Sequence, residues 1–161
     1  METCECGKSM ISPQGPADSL ILIIGDSPDF EEVRNGAPFS GKRGDILRSE
    51  LTDAGIDLRQ CRVTYLSRHS VGPKEKPCNS HVGDALREMK THKFVLLIGA
   101  STVSAFGINN PSAHVGLEVK SFLFPEGVFV MGCLNPPQNS AVGEFRLAIS
   151  KFARRVKDAR G

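Results

Sequence analysis

LILIIGDSPDFEEVRNGAPFSGKRGDIL, residues 20–47, decides the fold. Its first six residues are a continuous apolar run of strand length, as a strand covered on both faces requires. Residues 26–40 read as a long loop carrying Asp26, Pro28 and Asp29. Over 41–55 the period changes: Ile46, Leu47, Leu51 and Ala54 fall on one helical face, and Gly55 stands where a C-cap belongs. A buried strand passing through a loop into an amphipathic helix is the repeating unit of a parallel α/β sheet.

The same alternation runs outward from this stretch. CRVTYLS (61–67) predicts a second strand, followed by the polar loop HSVGPKEKPCNS and a helix over 81–91. FVLLIG (94–99) predicts a third strand that opens directly into a short helix, 100–106. Residues 107–116 are irregular, and EVKSFLF and GVFVMGC around Pro125-Glu126-Gly127 predict strand, turn, strand. A last helix over 141–157 would bury Phe145, Ala148, Ile149 and Phe152. Residues 1–18, rich in Gly, Pro, Ser and Cys, form an N-terminal arm, and 19–161 a single domain.

Composition narrows the class. At 161 residues, 40% hydrophobic and 24% charged, the chain is long enough for one domain with its own core. Its longest apolar runs are too short to span a bilayer, and METCECGKSM lacks an apolar signal core, so an intracellular protein without a membrane partner is expected. A net charge of +2 predicts no partner by itself. Lys151, Arg154, Arg155, Lys157 and Arg160 concentrate at the C-terminus, as a solvated helix face or a nucleic-acid contact.

Five cysteines without a secretory signal do not suggest a disulfide scaffold. Cys61 and Cys133, at strand ends, read as small buried hydrophobes. Cys4, Cys6 and Cys78, with His69 and His81, are either free side chains or the soft mixed donor set that zinc takes tetrahedrally, although the spacing matches no standard zinc motif.

Ligands of parallel sheets bind beyond the carboxyl ends of the strands. That rule selects GDSPDF, SRHSVG and NPPQNS as walls of a crevice. Asp26 and Asp29 are suited there to orient water or a cation. Lys42 and Arg43, between Gly41 and Gly44 at a helix start, suit a phosphate, although GKRG lacks the spacing of a P-loop. Phe39 is either a core plug or a platform on which a base could stack.

An apolar strand into GDSPD, then PFSGKRGDIL, RVTYLSR, FVLLIGAST and NPPQNSAVGEF in this order resembles family-4-type uracil-DNA glycosylases over roughly residues 20–155. The resemblance implies a three-layer αβα sandwich around a central, mainly parallel four-stranded sheet. It also implies DNA as partner and a hydrolase that excises a flipped base; a monomer is expected. Phe39 matches the ring that stacks on that base, and Asp26 the acid that positions water. Ser27 falls where other families of the superfamily place a catalytic Asp. Tyr65 replaces an Asn that reads the uracil edge, and Asn135 replaces a charge-stabilising histidine. Backbone amides around Lys42, Arg43, Ser101 and Ser140 would hold phosphates, while Gln138 and Asn139 would face the groove.

The family's iron–sulfur cluster draws its cysteines from the arm, the loop after the second strand and the next helix. Here the matching places offer Cys4, Cys6, His69 and Ala85, with Cys78 nearby. A four-thiolate cubane is not expected, and a zinc ion held by Cys4, Cys6, Cys78 and His69 or His81 would replace it. The substitutions at the polar site positions also admit another function: a glycosylase fold without chemistry, binding DNA or a replication protein.

Overall fold

A computed structural model describes residues 3–72, 74–75, 78, 81–136 and 142–160, with the side chain of Arg43 excepted. Four strands, β1 (Ile21–Gly25), β2 (Arg62–Tyr65), β3 (Phe94–Ile98) and β4 (Phe129–Cys133), form one sheet in the order β2-β1-β3-β4. Every pairing is parallel, with Ile23 opposite both Val63 and Leu96, and Leu96 opposite Met131.

β1 and β3 are buried at every position, and their side chains alternate between two cores. Ile21, Ile23 and Leu96 enter a cluster with Leu47 and Leu51 of α2 (Lys42–Asp53) and Phe145, Ile149 and Phe152 of α5 (Gly143–Arg160). Leu22, Ile24, Val95 and Leu97 enter the other, with Ala85 and Met89 of α3 (Val82–Met89) and Val103 of α4 (Ala100–Ser104). Helices therefore cover both faces of an all-parallel sheet, giving a three-layer αβα sandwich. The apolar stripe of the last helix falls on Phe145, Ala148, Ile149 and Phe152, the four positions that periodicity selects. Across that layer, Arg146 donates to the buried Glu50 carboxylate at 3.0 Å, joining α5 to α2.

Two segments depart from the sequence reading. Residues 26–40 contain a further helix, α1 (Phe30–Asn35), started by a capping box: Glu32 N–H donates to Asp29 Oδ1 and Asp29 N–H to Glu32 Oε2, each at 2.7 Å. The expected hairpin over 118–133 is corrected, because only β4 is a strand there. Residues 115–119 meet it through isolated bridges, Val115 with Gly132 and Glu118 with Met131. Beyond Val119, which is buried, Phe122 is 97% exposed, so the alternation needed to hold a second strand on the core is lost.

The N-terminal residues run along the free edge of β2. Gln14 pairs antiparallel with Val63, and Ile11, itself buried, donates its N–H to the Arg68 carbonyl at 2.8 Å. An open edge is thereby covered at its middle. Among the described residues, no helix is long and apolar enough to cross a membrane.

Candidate active site

The chain runs from β1 to β2 on one side and returns through α3 to β3 on the other, so the strand order reverses between β1 and β3. Such a switch point leaves a crevice at the carboxyl ends. A cavity of about 190 Å³ opens there, lined among others by Gly25, Asp26, Phe39, Lys42, Ile98 and Asn135. That is well above the ~10–15 Å³ that a single water needs, and so leaves room for a small ligand. The first and last of the three expected loops line it. The loop after β2 does not: Ser67 and Val71 line a neighbouring cavity on the far side of Asp26 and Ser27, and His69 turns away to the arm.

Asp26 leaves β1 with its carboxylate fixed from two sides. Oδ1 accepts from the Ser27 N–H at 2.7 Å and Oδ2 from the Ser101 hydroxyl at 3.1 Å, so the bond to Ser101 crosses the switch point. Its backbone carbonyl accepts from Ser67 N–H at 2.9 Å, which ties the loop to the end of β2. A carboxylate has more acceptor sites than these two bonds use, and the remainder can receive a water. Asn135 is exposed and faces the cavity from the end of β4. Its amide lies against Gly99, where a Cβ would sit 3.0 Å from Asn135 Oδ1 at a φ of +100°. Glycine at 99 therefore keeps both the turn into α4 and the room for this amide.

Phe39 is both a wall of the cavity and a buried side chain, 8% exposed. Its ring centroid lies 5.3 Å from that of Tyr65, tilted by 38°. Its backbone has a φ of +53°, a conformation rare for a bulky residue. Both peptide groups are held: the N–H donates to Glu32 and, at 3.1 Å, to the Tyr65 hydroxyl, while the carbonyl accepts from Arg48. Gly44 completes the clamp, because a Cβ there would lie 1.6 Å from the Phe39 carbonyl oxygen. The Gly-x-x-Gly spacing thus serves close packing of the α2 start on Phe39. Gly41 caps α2 without a side-chain bond.

Tyr65 sits behind this wall rather than on it. It is 2% exposed, and its hydroxyl donates to Glu32 Oε1 at 2.7 Å. Burial, reinforced by the Glu32 carboxylate, raises the phenol well above its ordinary pKa. Glu32, 4% exposed and lining the cavity, is the main site residue that the sequence reading missed. The signal was the capping box Asp29-x-x-Glu32, obscured because 26–40 reads as a loop. Gln138, Asn139 and Ser140 lie outside the described residues, and Lys42 is an exposed residue of the cavity lining.

A second constellation lies apart from this cavity. The ligand atoms of Cys4, Cys6, His69 and Cys78 are all within 4.8 Å of one another. These side chains do not fit a cubane. Each ligand of a cubane binds its own iron on the outside of the cluster, which spreads the sulfurs well beyond this spacing. Ala85, which the resemblance sets at the place of a fourth cysteine, is fully buried in the apolar core on α3.

The sequence profile of the uracil DNA glycosylase superfamily matches residues 12–151. A relative, the type-4 uracil-DNA glycosylase of Thermotoga maritima, is 27% identical over 104 residues, covering 61% of this chain and 54% of the relative. The chain thus matches about half the length of that protein. With the all-parallel sheet and the crevice at its switch point, the profile match establishes that the chain belongs to the uracil-DNA glycosylase superfamily, with a family-4-like sequence.

Proposed function

We propose that the protein is a monofunctional DNA glycosylase hydrolysing the N-glycosidic bond of a flipped uracil or other modified base. The observation that carries this reading is the approach of Asp26 and Asn135 to one cavity walled by Phe39. The glycosidic carbon is shielded within the base stack, so the nucleotide must leave the duplex to react. In the cavity the base would lie along Phe39, and the Asn135 amide would donate to the carbonyl oxygen that gains charge as the bond breaks. Asp26 would hold a water toward the sugar cation and accept its proton. Lys42 and the uncapped start of α2 would receive a neighbouring phosphate. The reaction takes place where the DNA is, inside the cell.

The test is abasic-site formation on single- and double-stranded oligonucleotides carrying uracil, hypoxanthine or another modified base. Excision abolished by Asp26→Ala and impaired by Phe39→Ala is expected; no excision from any substrate would sink the reading. One observation favours a second one, a fold that binds DNA or a replication protein without chemistry. The Tyr65 ring and hydroxyl are engaged with Phe39 and Glu32, so β2 offers no side-chain amide to read a base edge. Salt-sensitive DNA binding without excision is the result that would favour it.

A further inference from the structure

We propose that Cys4, Cys6, His69 and Cys78 bind a single tetrahedral zinc ion, a structural centre that stands in place of an iron–sulfur cubane. Zinc bonds of about 2.3 Å to sulfur and 2.0–2.1 Å to nitrogen give tetrahedral edges of roughly 3.8 Å between sulfurs and 3.6 Å between sulfur and nitrogen. Cys4 Sγ and Cys78 Sγ are 3.9 Å apart, and Cys6 Sγ and His69 Nε2 3.2 Å apart. The sulfur pair is far beyond the ~2.05 Å of a disulfide. One ion at the centre satisfies all four donors with small adjustments.

The surroundings are those of a ligand set. His69 is 3% exposed, and its Nδ1 donates to the Ser70 carbonyl at 2.9 Å, which directs the Nε2 lone pair at the thiols. Metal-binding histidines are oriented in this way by the bond their other nitrogen makes. Residues 3–9 form a tight turn, closed by the Thr3–Ser9 bridge and by Gly7 N–H on the Cys4 carbonyl at 2.8 Å, and this turn presents both cysteines. Lys8 pairs with Glu75 and joins the turn to the loop that carries Cys78. His81 Nε2 lies 3.9 Å from Cys4 Sγ while its Nδ1 meets Asp84 at 2.9 Å, a partner beside the set rather than within it.

The ion would fasten the arm to the chain leaving β2. Two residues before His69, Ser67 holds the backbone of Asp26. Zinc therefore supports the catalytic loop from a distance and takes no part in the reaction.

The test measures metal, acid-labile sulfide and Co2+ spectra on the full-length protein. About one zinc per chain without sulfide is expected, together with a Co2+ form showing tetrahedral d–d bands and thiolate charge transfer. Cys78→Ser should lose at least tenfold in zinc affinity. Cys6→His and His69→Cys, which keep four donors, should retain the ion, as should His81→Gln and Cys61→Ala. These retained-donor variants decide the matter even if Cys78→Ser does not fold. Iron with labile sulfide would overturn the proposal, and so would failure of the folded protein to bind either Zn2+ or Co2+. Loss of metal in His81→Gln but not in His69→Gln would overturn the ligand set. All these readouts are independent of base excision.

Discussion

The Tyr65 hydroxyl donates to Glu32 Oε1 at 2.7 Å behind the Phe39 ring, and both side chains are almost wholly buried. The bond joins the second strand to the short helix after the first. It also gives the Phe39 N–H two acceptors at once. A left-handed phenylalanine costs on the order of 1–3 kcal/mol, and this network is what holds it.

Tyr65→Phe removes the only side-chain donor to Glu32 among its described hydrogen bonds, leaving a buried carboxylate on backbone N–H groups. A loss of about 1–3 kcal/mol is expected. In a domain of this size that lowers Tm by about 2–12 °C. Glu32→Gln should cost at least as much, since its amide NH2 would face backbone donors. Thermal unfolding of the two variants checks both; an unchanged Tm in each would show that the network supports nothing.

Gly44→Ala tests the clamp from the other side. A Cβ at 1.6 Å from the Phe39 oxygen cannot be accommodated without moving α2 or the Phe39 backbone. Destabilisation by more than about 1 kcal/mol is expected, against the gain that alanine normally brings inside a helix. Gly36, where a Cβ would meet nothing within 4 Å, is the control for space, although its φ of +67° still disfavours alanine. A melt of Gly44→Ala as high as the parent would contradict the close approach.

Stability should decline at alkaline pH. Burial pushes the Cys61 thiol from 9.0 up to about 12, and burial also raises Cys133 and Tyr65. Above pH 9 the unfolded chain loses these protons while the folded chain keeps them. The folded state then binds more protons, so stability falls as pH rises and is fully present below 9. Cys61→Ala should flatten the fall between pH 9 and 12 by up to about 1.4 kcal/mol per pH unit, read from denaturant unfolding at several pH values. Parallel curves for parent and variant would exclude Cys61 as a contributor.

The sheet was legible because both faces of β1 and β3 are buried, which writes unbroken apolar runs into residues 20–25 and 94–99. The place of Asp26 and Asn135 followed from strand ends alone. Position 65 was harder: its place on β2 could be read, but not that Tyr65 would pack behind Phe39. Phe39 itself was open between plug and platform; it is buried as a plug would be, and it also lines the cavity. The helix at 30–35 is too short to show periodicity, and its buried Glu32 looks like any surface acid in sequence. The segment 118–124 carries the apolar residues of a strand at Val119, Phe122, Leu123 and Phe124 yet leaves Phe122 in solvent, because edge pairing depends on neighbours that a local pattern does not contain.

Asp26 and Asn135 should separate in their effects. On the proposed reaction, Asp26→Asn keeps an acceptor for the Ser27 N–H and turns its NH2 to the Ser101 hydroxyl, which can accept, but it cannot take a proton from water, so excision should fall by about 10²–10⁴ with Tm nearly unchanged. Asn135→Ala removes the donor proposed for the developing anion, for an expected loss of roughly 10²–10³. Asn135→His restores a stronger donor at the same strand end and should raise excision by roughly one to two orders of magnitude. Single-turnover excision rates with the substrate that the parent cleaves provide the measurement. If Asn135→His and Asn135→Ala were equally slow, the residue at 135 would not contact the leaving base. The room beside Gly99 that now accepts the amide would then serve only the turn into α4.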